Sequence, residues 1–173
     1  MIGRVLIASV LLAAAVAPAT GQNRQPAPPG SKTLELIGAS GQRRTMTAAD
    51  LAKLPHIEAD VSSHNVKGKY RGVPLGDLLR LVGSPASDSI RGAALAQYVV
   101  VEATDAYRVV FAIAELDTGF TDKSVFVADA KNGAPLDSSE GPFRLIVVGE
   151  KRPARWVRGV AKIRIARLGP SPQ

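Results

Sequence analysis

The sequence predicts an α+β domain of mostly antiparallel or mixed β-sheet with a few short helices. Three observations lead there. Short runs rich in β-branched and aromatic residues recur along the chain, only a few short segments carry helix signals, and strands and helices lack the regular alternation of a doubly wound sheet.

Taken in order, TLELI from Thr33 alternates like a strand, GASGQ supplies turn formers, and RRTMT resumes the alternation, so the three predict a hairpin. Thr47 precedes AADLAKL with Asp50 three residues on, a capping-box start for a helix that Pro55 stops. IEADVSS, from Ile57 to Ser63, reads as a short strand and HNVKGK as a polar turn. Pro74 before LGDLLRLV and Gly83 just past it bracket a second helix, with Leu75, Leu78, Leu79 and Val82 on one face.

SPASDSIRG reads as a loop and AALAQ as one helical turn. YVVVEAT and YRVVFAI flank Asp105-Ala106 and predict two antiparallel neighbours. SVFVADA ends at Asn132-Gly133, a hairpin turn signal; FRLIVVG and GVAKIRIARL supply the last two strands. There is no fixed-period repeat.

At 173 residues, with 46% hydrophobic and 21% charged content, the chain has the composition of one globular domain. Arg4, an apolar run from Val5 to Val16, and the small residues Ala17, Ala19 and Gly21 follow the order of a secretory signal peptide, expected over residues 1–21. That run is shorter than the roughly 20 residues of a spanning helix, so no stable membrane span is expected after cleavage. The expected location is periplasmic or secreted. Residues 22–32, rich in Pro, Gln and Gly, read as a disordered linker, and residues 33–169 as the folded domain.

The chain has no cysteine. Disulfides, thiolate metal ligands and lipid acylation are therefore excluded, and the fold rests on its core. A formal net charge of +7 favours anionic partners. Aromatics at only 5% and the expected export argue against nucleic acid.

Few residues point to chemistry. His56 and His64 bracket Asp60, but a metal needs further ligands and a geometry that this spacing does not supply. Asp60, Ser62, Ser63 and His64 hold the residue types of a hydrolase triad without a nucleophile elbow or an oxyanion hole. Glu115 and Asp117 read as helix-capping or turn carboxylates. The strongest feature is a basic cluster, Lys151, Arg152, Arg155 and Arg158, with Arg144 entering the preceding strand. Guanidinium groups grip phosphate-type anions through paired hydrogen bonds, while the alternative is a solvated hairpin end. Trp156, the sole tryptophan, reads as a core anchor on which an arginine stacks.

YRGVPLGDLL, DAYRVVFAIAEL, NGAPL, GPFRLIVVG, ARWV and KIRI, in that order, resemble the molybdopterin-binding domain of the sulfite oxidase superfamily, from Thr33 to about Leu168. The resemblance implies that fold, and molybdopterin as cofactor. Tyr70, Gly72, Pro74 and Leu75 match the aromatic-Gly-x-Pro-Leu segment beside the family's pocket. Asp105, Ala106 and Tyr107 stand where the family usually has Asp-Gly-Tyr. Gly141, Arg144 and Leu145 match the strand whose arginine lies near the pterin and its phosphate, so the resemblance makes Arg144 a cofactor-binding residue, joined by Lys151, Arg152 and Arg155.

Two departures stand out. The family's molybdenum-ligating cysteine has no counterpart in the region from Ala59 to Ser63, where a neutral serine hydroxyl is a poor replacement for a soft thiolate. Glu140 stands where the enzymes carry His or Asn, and a carboxylate repels a phosphate. The expectation is therefore an exported, non-catalytic or atypical module that binds an anionic ligand, a pterin being one candidate. Its alternatives are a molybdopterin-dependent oxidoreductase with a non-cysteine metal ligand, passing electrons to an envelope redox partner, and a ligand-free interaction domain with a basic face. An envelope sensor protein is another candidate partner.

Overall fold

Among the described residues, ten strands form two five-stranded sheets whose inner faces meet in one apolar cluster. The computed structural model describes residues 32–64 and 66–169. The expected signal peptide, residues 1–21, and the expected linker, residues 22–32, apart from Lys32, lie outside the described residues, as do residues 170–173.

The first sheet is built on β1 (Thr33–Ile37) and β2 (Arg43–Thr47), the predicted hairpin, paired antiparallel from Thr33 opposite Thr47 to Ile37 opposite Arg43. β1 buries Leu34 and Leu36 on alternate positions, as a half-buried strand must. Helix α1 (Ala48–Leu51) follows at once. Its capping box is present: the Thr47 hydroxyl accepts from the Asp50 amide at 3.2 Å, and the Asp50 carboxylate accepts from the Thr47 amide at 3.0 Å.

The second sheet opens with β3 (Ile57–Ser63) and β4 (Val66–Pro74), paired antiparallel with Ser63 opposite Val66. The polar turn is thus shorter than HNVKGK. Lys67 and Lys69 face solvent and Gly68 takes a φ of +155°, so the strand continues through a polar stretch that carries no hydrophobic alternation. Helix α2 (Leu75–Arg80) starts directly after Pro74 and buries Leu75, Leu78 and Leu79; Gly83, at φ +82°, follows its last turn.

β5 (Gln97–Ala103) and β6 (Arg108–Ala112) return to the first sheet as an antiparallel pair. Ala106 at φ +66° makes the turn between them. In the second sheet, β7 (Val125–Lys131) pairs with β4 on one side. On the other side it meets two short strands end to end: β8 (Ala134–Pro135) opposite Ala130 and Lys131, and β9 (Arg144–Val147) opposite Val125 to Ala128. The segment 136–143 leaves the sheet between β8 and β9. The expected hairpin is therefore interrupted, and its excursion carries Glu140.

β10 (Val160–Arg167) completes the first sheet in the order β2-β1-β10-β5-β6, parallel to β1 and antiparallel to β5. Tyr70, Phe111, Phe126, Phe143 and Trp156 supply the aromatic part of the core. Burying each such side chain contributes about 1.5–3 kcal/mol, which is how the domain holds without a disulfide. β4 and β7 approach unusually closely at Gly72: a Cβ there would lie 2.1 Å from the Val127 carbonyl oxygen, so only glycine fits. No helix among the described residues is long and apolar enough to cross a membrane.

Candidate functional site

The register of β4 on β7 puts Tyr70 opposite Lys131, and that of β9 on β7 puts Arg144 opposite Ala128. The excursion 136–143 then folds back over these strands. Its turn is set by Asp137, whose Oδ1 accepts from the Ser139 amide at 2.8 Å, the Ser139 hydroxyl at 2.6 Å and the Glu140 amide at 3.2 Å. The Gly141 amide donates to the Asp137 carbonyl at 2.8 Å, and the Gly159 amide donates to the Glu140 carbonyl at 3.2 Å. The backbone of Glu140 is thereby pinned from both sides, and its side chain enters the sheet.

There three groups converge on the Glu140 carboxylate. Arg144 Nη1 lies 2.7 Å from Oε1, Lys131 Nζ donates to the same oxygen at 2.9 Å, and the Tyr70 hydroxyl donates to Oε2 at 2.9 Å. Arg144 Nη1 also donates to the Tyr70 hydroxyl oxygen at 3.2 Å. Both cations stand over the Tyr70 ring, Lys131 at 5.2 Å and Arg144 at 5.6 Å from its centroid. Tyr70 is fully buried and the Arg144 side chain is 4% exposed.

The electrostatics follow from that packing. Burial alone would raise the Glu140 carboxyl, but the Lys131 ammonium, the Arg144 guanidinium and the Tyr70 hydroxyl together hold it below its ordinary value. Lys131 is raised by its hydrogen bonds to Glu140 and Tyr70, against burial. Burial raises the Tyr70 hydroxyl, with Lys131 and Arg144 opposing.

The other three residues expected in the site lie on the loop 148–155, whose backbone is held at several points. Ser63 Oγ donates to the Lys151 carbonyl at 3.2 Å, Tyr107 Oη donates to the Ala154 carbonyl at 2.7 Å, and Trp156 Nε1 donates to the Val147 carbonyl at 2.9 Å. Trp156 is buried, as its core reading expects. The stacking partner differs: Arg155 lies 4.4 Å over the Phe111 ring, which β6 presents beside the loop. Arg155 also pairs with Glu150 and, at 3.4 Å, with Glu115. Arg144 and Arg155 are thus both compensated within the chain, while Lys151 and Arg152 stay exposed with no ion pair among the described residues.

The minor candidates have structural roles. Glu115 caps the 3-10 turn Ile113–Leu116 by accepting from the Ala112 amide at 2.9 Å. Asp117 is buried, accepting from the Ser87 hydroxyl at 2.5 Å and the Gly119 amide at 2.8 Å. His56 lies between the Leu54 carbonyl, 2.7 Å from Nδ1, and Asp129, 2.9 Å from Nε2. His64 is exposed at a turn with φ +50°, and the Ser63 hydroxyl is engaged with the loop, so neither forms a triad with Asp60. Lys131 and the Tyr70 hydroxyl are members of the cluster that sequence reasoning missed.

These residues do not fit a molybdenum cofactor as the resembled enzymes hold it. No thiolate exists in the chain, and the Ser63 hydroxyl is already donating to a backbone carbonyl. No group of three or more His, Asp or Glu side chains that could hold a metal stands together among the described residues. The arginine matched to the pterin-side position is spoken for by Glu140.

Comparison with solved structures gives the crystal structure of the sulfane dehydrogenase SoxCD from Paracoccus pantotrophus, with a TM-score of 0.61 at 19% identity. The match covers 81% of this chain and 39% of that one, so this chain spans well under half of that protein, and at such identity the likeness speaks for the fold alone. No curated protein matches. A model of the oxidoreductase molybdopterin binding domain matches residues 24–169, which include every strand of the two sheets, and on that match the chain belongs to the oxidoreductase molybdopterin binding domain family.

Proposed function

We propose that this chain is an exported, non-catalytic member of its family that holds an anionic ligand, of the phosphate or pterin-phosphate type, against the loop carrying Lys151 and Arg152. One observation carries the reading. These two cations are exposed and have no ion pair among the described residues, on a loop whose backbone is held by Ser63 and Tyr107 and whose base is closed by the Trp156–Val147 hydrogen bond, so little ordering is needed when an anion arrives. The missing thiolate and the engaged Ser63 hydroxyl favour binding over molybdenum chemistry.

The test is a titration with a phosphorylated pterin and with inorganic phosphate, followed by calorimetry at low salt. The wild-type chain binds, and Lys151→Ala/Arg152→Ala weakens binding about tenfold or more, since charge-assisted hydrogen bonds contribute roughly 1.5–3 kcal/mol each. Absence of binding, or equal binding by the double variant, refutes the reading.

A further inference from the structure

Arg144 presents a problem of satisfaction. Its guanidinium is almost wholly buried, yet Nε has no hydrogen-bond partner, and one of its two terminal nitrogens serves both Glu140 and Tyr70. Lys131 brings a second positive charge to the same point. The only anion among the four groups is Glu140, so the cluster carries one positive charge in excess. Two cations and a phenolic O–H directed onto two oxygens of one carboxylate form a receptor for an oxyanion.

The route by which that oxyanion arrives matters as much. Tyr70, Lys131 and Arg144 are fixed by the strands β4, β7 and β9, whereas Glu140 is delivered by an excursion outside the sheet. The receptor is rigid and its occupant is on a loop.

We infer that Tyr70, Lys131 and Arg144 form a binding site for a tetrahedral oxyanion, phosphate or a phosphate monoester, and that the Glu140 carboxylate is a tethered anion occupying it. Glu140 keeps external phosphate out by charge and by position. With Glu140 neutral, two cations and the Arg144 Nε–H lack an acceptor, and a free phosphate supplies oxygens for all of them. This site is separate from the Lys151–Arg152 loop, and either proposal can fail alone.

The experiment measures thermal unfolding, read by the fluorescence of Trp156, against inorganic phosphate, with sodium chloride holding ionic strength constant. Wild type, Glu140→Gln and Glu140→Gln/Arg144→Met are compared. The wild-type midpoint shifts only by what phosphate binding at the Lys151–Arg152 loop contributes, that of Glu140→Gln rises further with phosphate by mass action, and that of the double variant returns to the wild-type shift. If Glu140→Gln does not fold in chloride, phosphate restores its folded signal and chloride alone does not. A Glu140→Gln chain no more responsive to phosphate than wild type, or a double variant that responds as strongly as Glu140→Gln, overturns the inference. Either result leaves the Lys151–Arg152 titration untouched.

Discussion

Glu140 and Arg144 stand four residues apart in sequence and meet at 2.7 Å with no helix between them. The chain turns at Asp137, passes Pro142 and enters β9, and that path brings the carboxylate back onto the guanidinium. The pair joins the excursion to the sheet, with Lys131 and Tyr70 completing the contact.

Removing one partner of a buried ion pair leaves the other uncompensated, so Arg144→Met should destabilise the domain by about 3 kcal/mol. That is the low end of the usual range because Lys131 still faces Glu140. Glu140→Gln should also destabilise, and the double variant should lose less than the sum of the singles, with a coupling of about 1–3 kcal/mol. Urea unfolding in chloride buffer measures all three. Strict additivity would show that the pair does not act as one unit.

Acid and alkali should both weaken the fold through this cluster, for opposite reasons. Glu140 is lowered from an ordinary 4.5 in the folded state, so its contribution is present above 4.5 and is lost as pH falls through the lower folded value. Lys131 is raised from 10.5, so its contribution is present below 10.5 and is lost as pH rises through the higher folded value. Urea midpoints across pH should therefore fall at both ends, and Glu140→Gln should flatten part of the acid limb. Asp117, lowered chiefly by the Ser87 hydroxyl, keeps some acid dependence in that variant. An unchanged acid limb contradicts the role given to Glu140.

Gly72→Ala should be among the most damaging single changes in the chain. The added Cβ would meet the Val127 carbonyl at 2.1 Å, a backbone atom that moves only if β4 and β7 separate. Forced overpacking of this kind costs on the order of 3 kcal/mol. Circular dichroism melting should show a clear drop, and a wild-type midpoint would mean that the strands part easily there.

The strands were legible because most carry β-branched runs or alternation bounded by turn residues, as in TLELI and YRVVFAI. The start of β4 was not, since Val66 packs against the core but Lys67 and Lys69 face solvent and Gly68 between them has no side chain to mark the buried face. Arg144 was singled out by the order of several motifs, and Glu140 was noticed as a departure; the structure pairs the two. The role of Glu140 was not legible: a carboxylate expected to repel a ligand proves to be the counter-ion of Arg144. Lys131 was invisible for a different reason. It joins the site through the pairing of β4 with β7, 61 positions from Tyr70 by residue number, and no local pattern encodes that register. Only the position of Asn132-Gly133, which ends β7 beside it, hinted that Lys131 lies at a strand terminus.

The chain has its family's fold, the Glu140 carboxylate lies on Arg144, and no group of side chains that could hold a metal stands together among the described residues. The most direct measurement is molybdenum content by elemental analysis, on chain purified from a host that makes the cofactor, beside a cysteine-containing family enzyme prepared in the same way. We expect a full complement in that enzyme and well below one atom per chain in this protein. Near one molybdenum per chain here would show that these residues hold the metal after all.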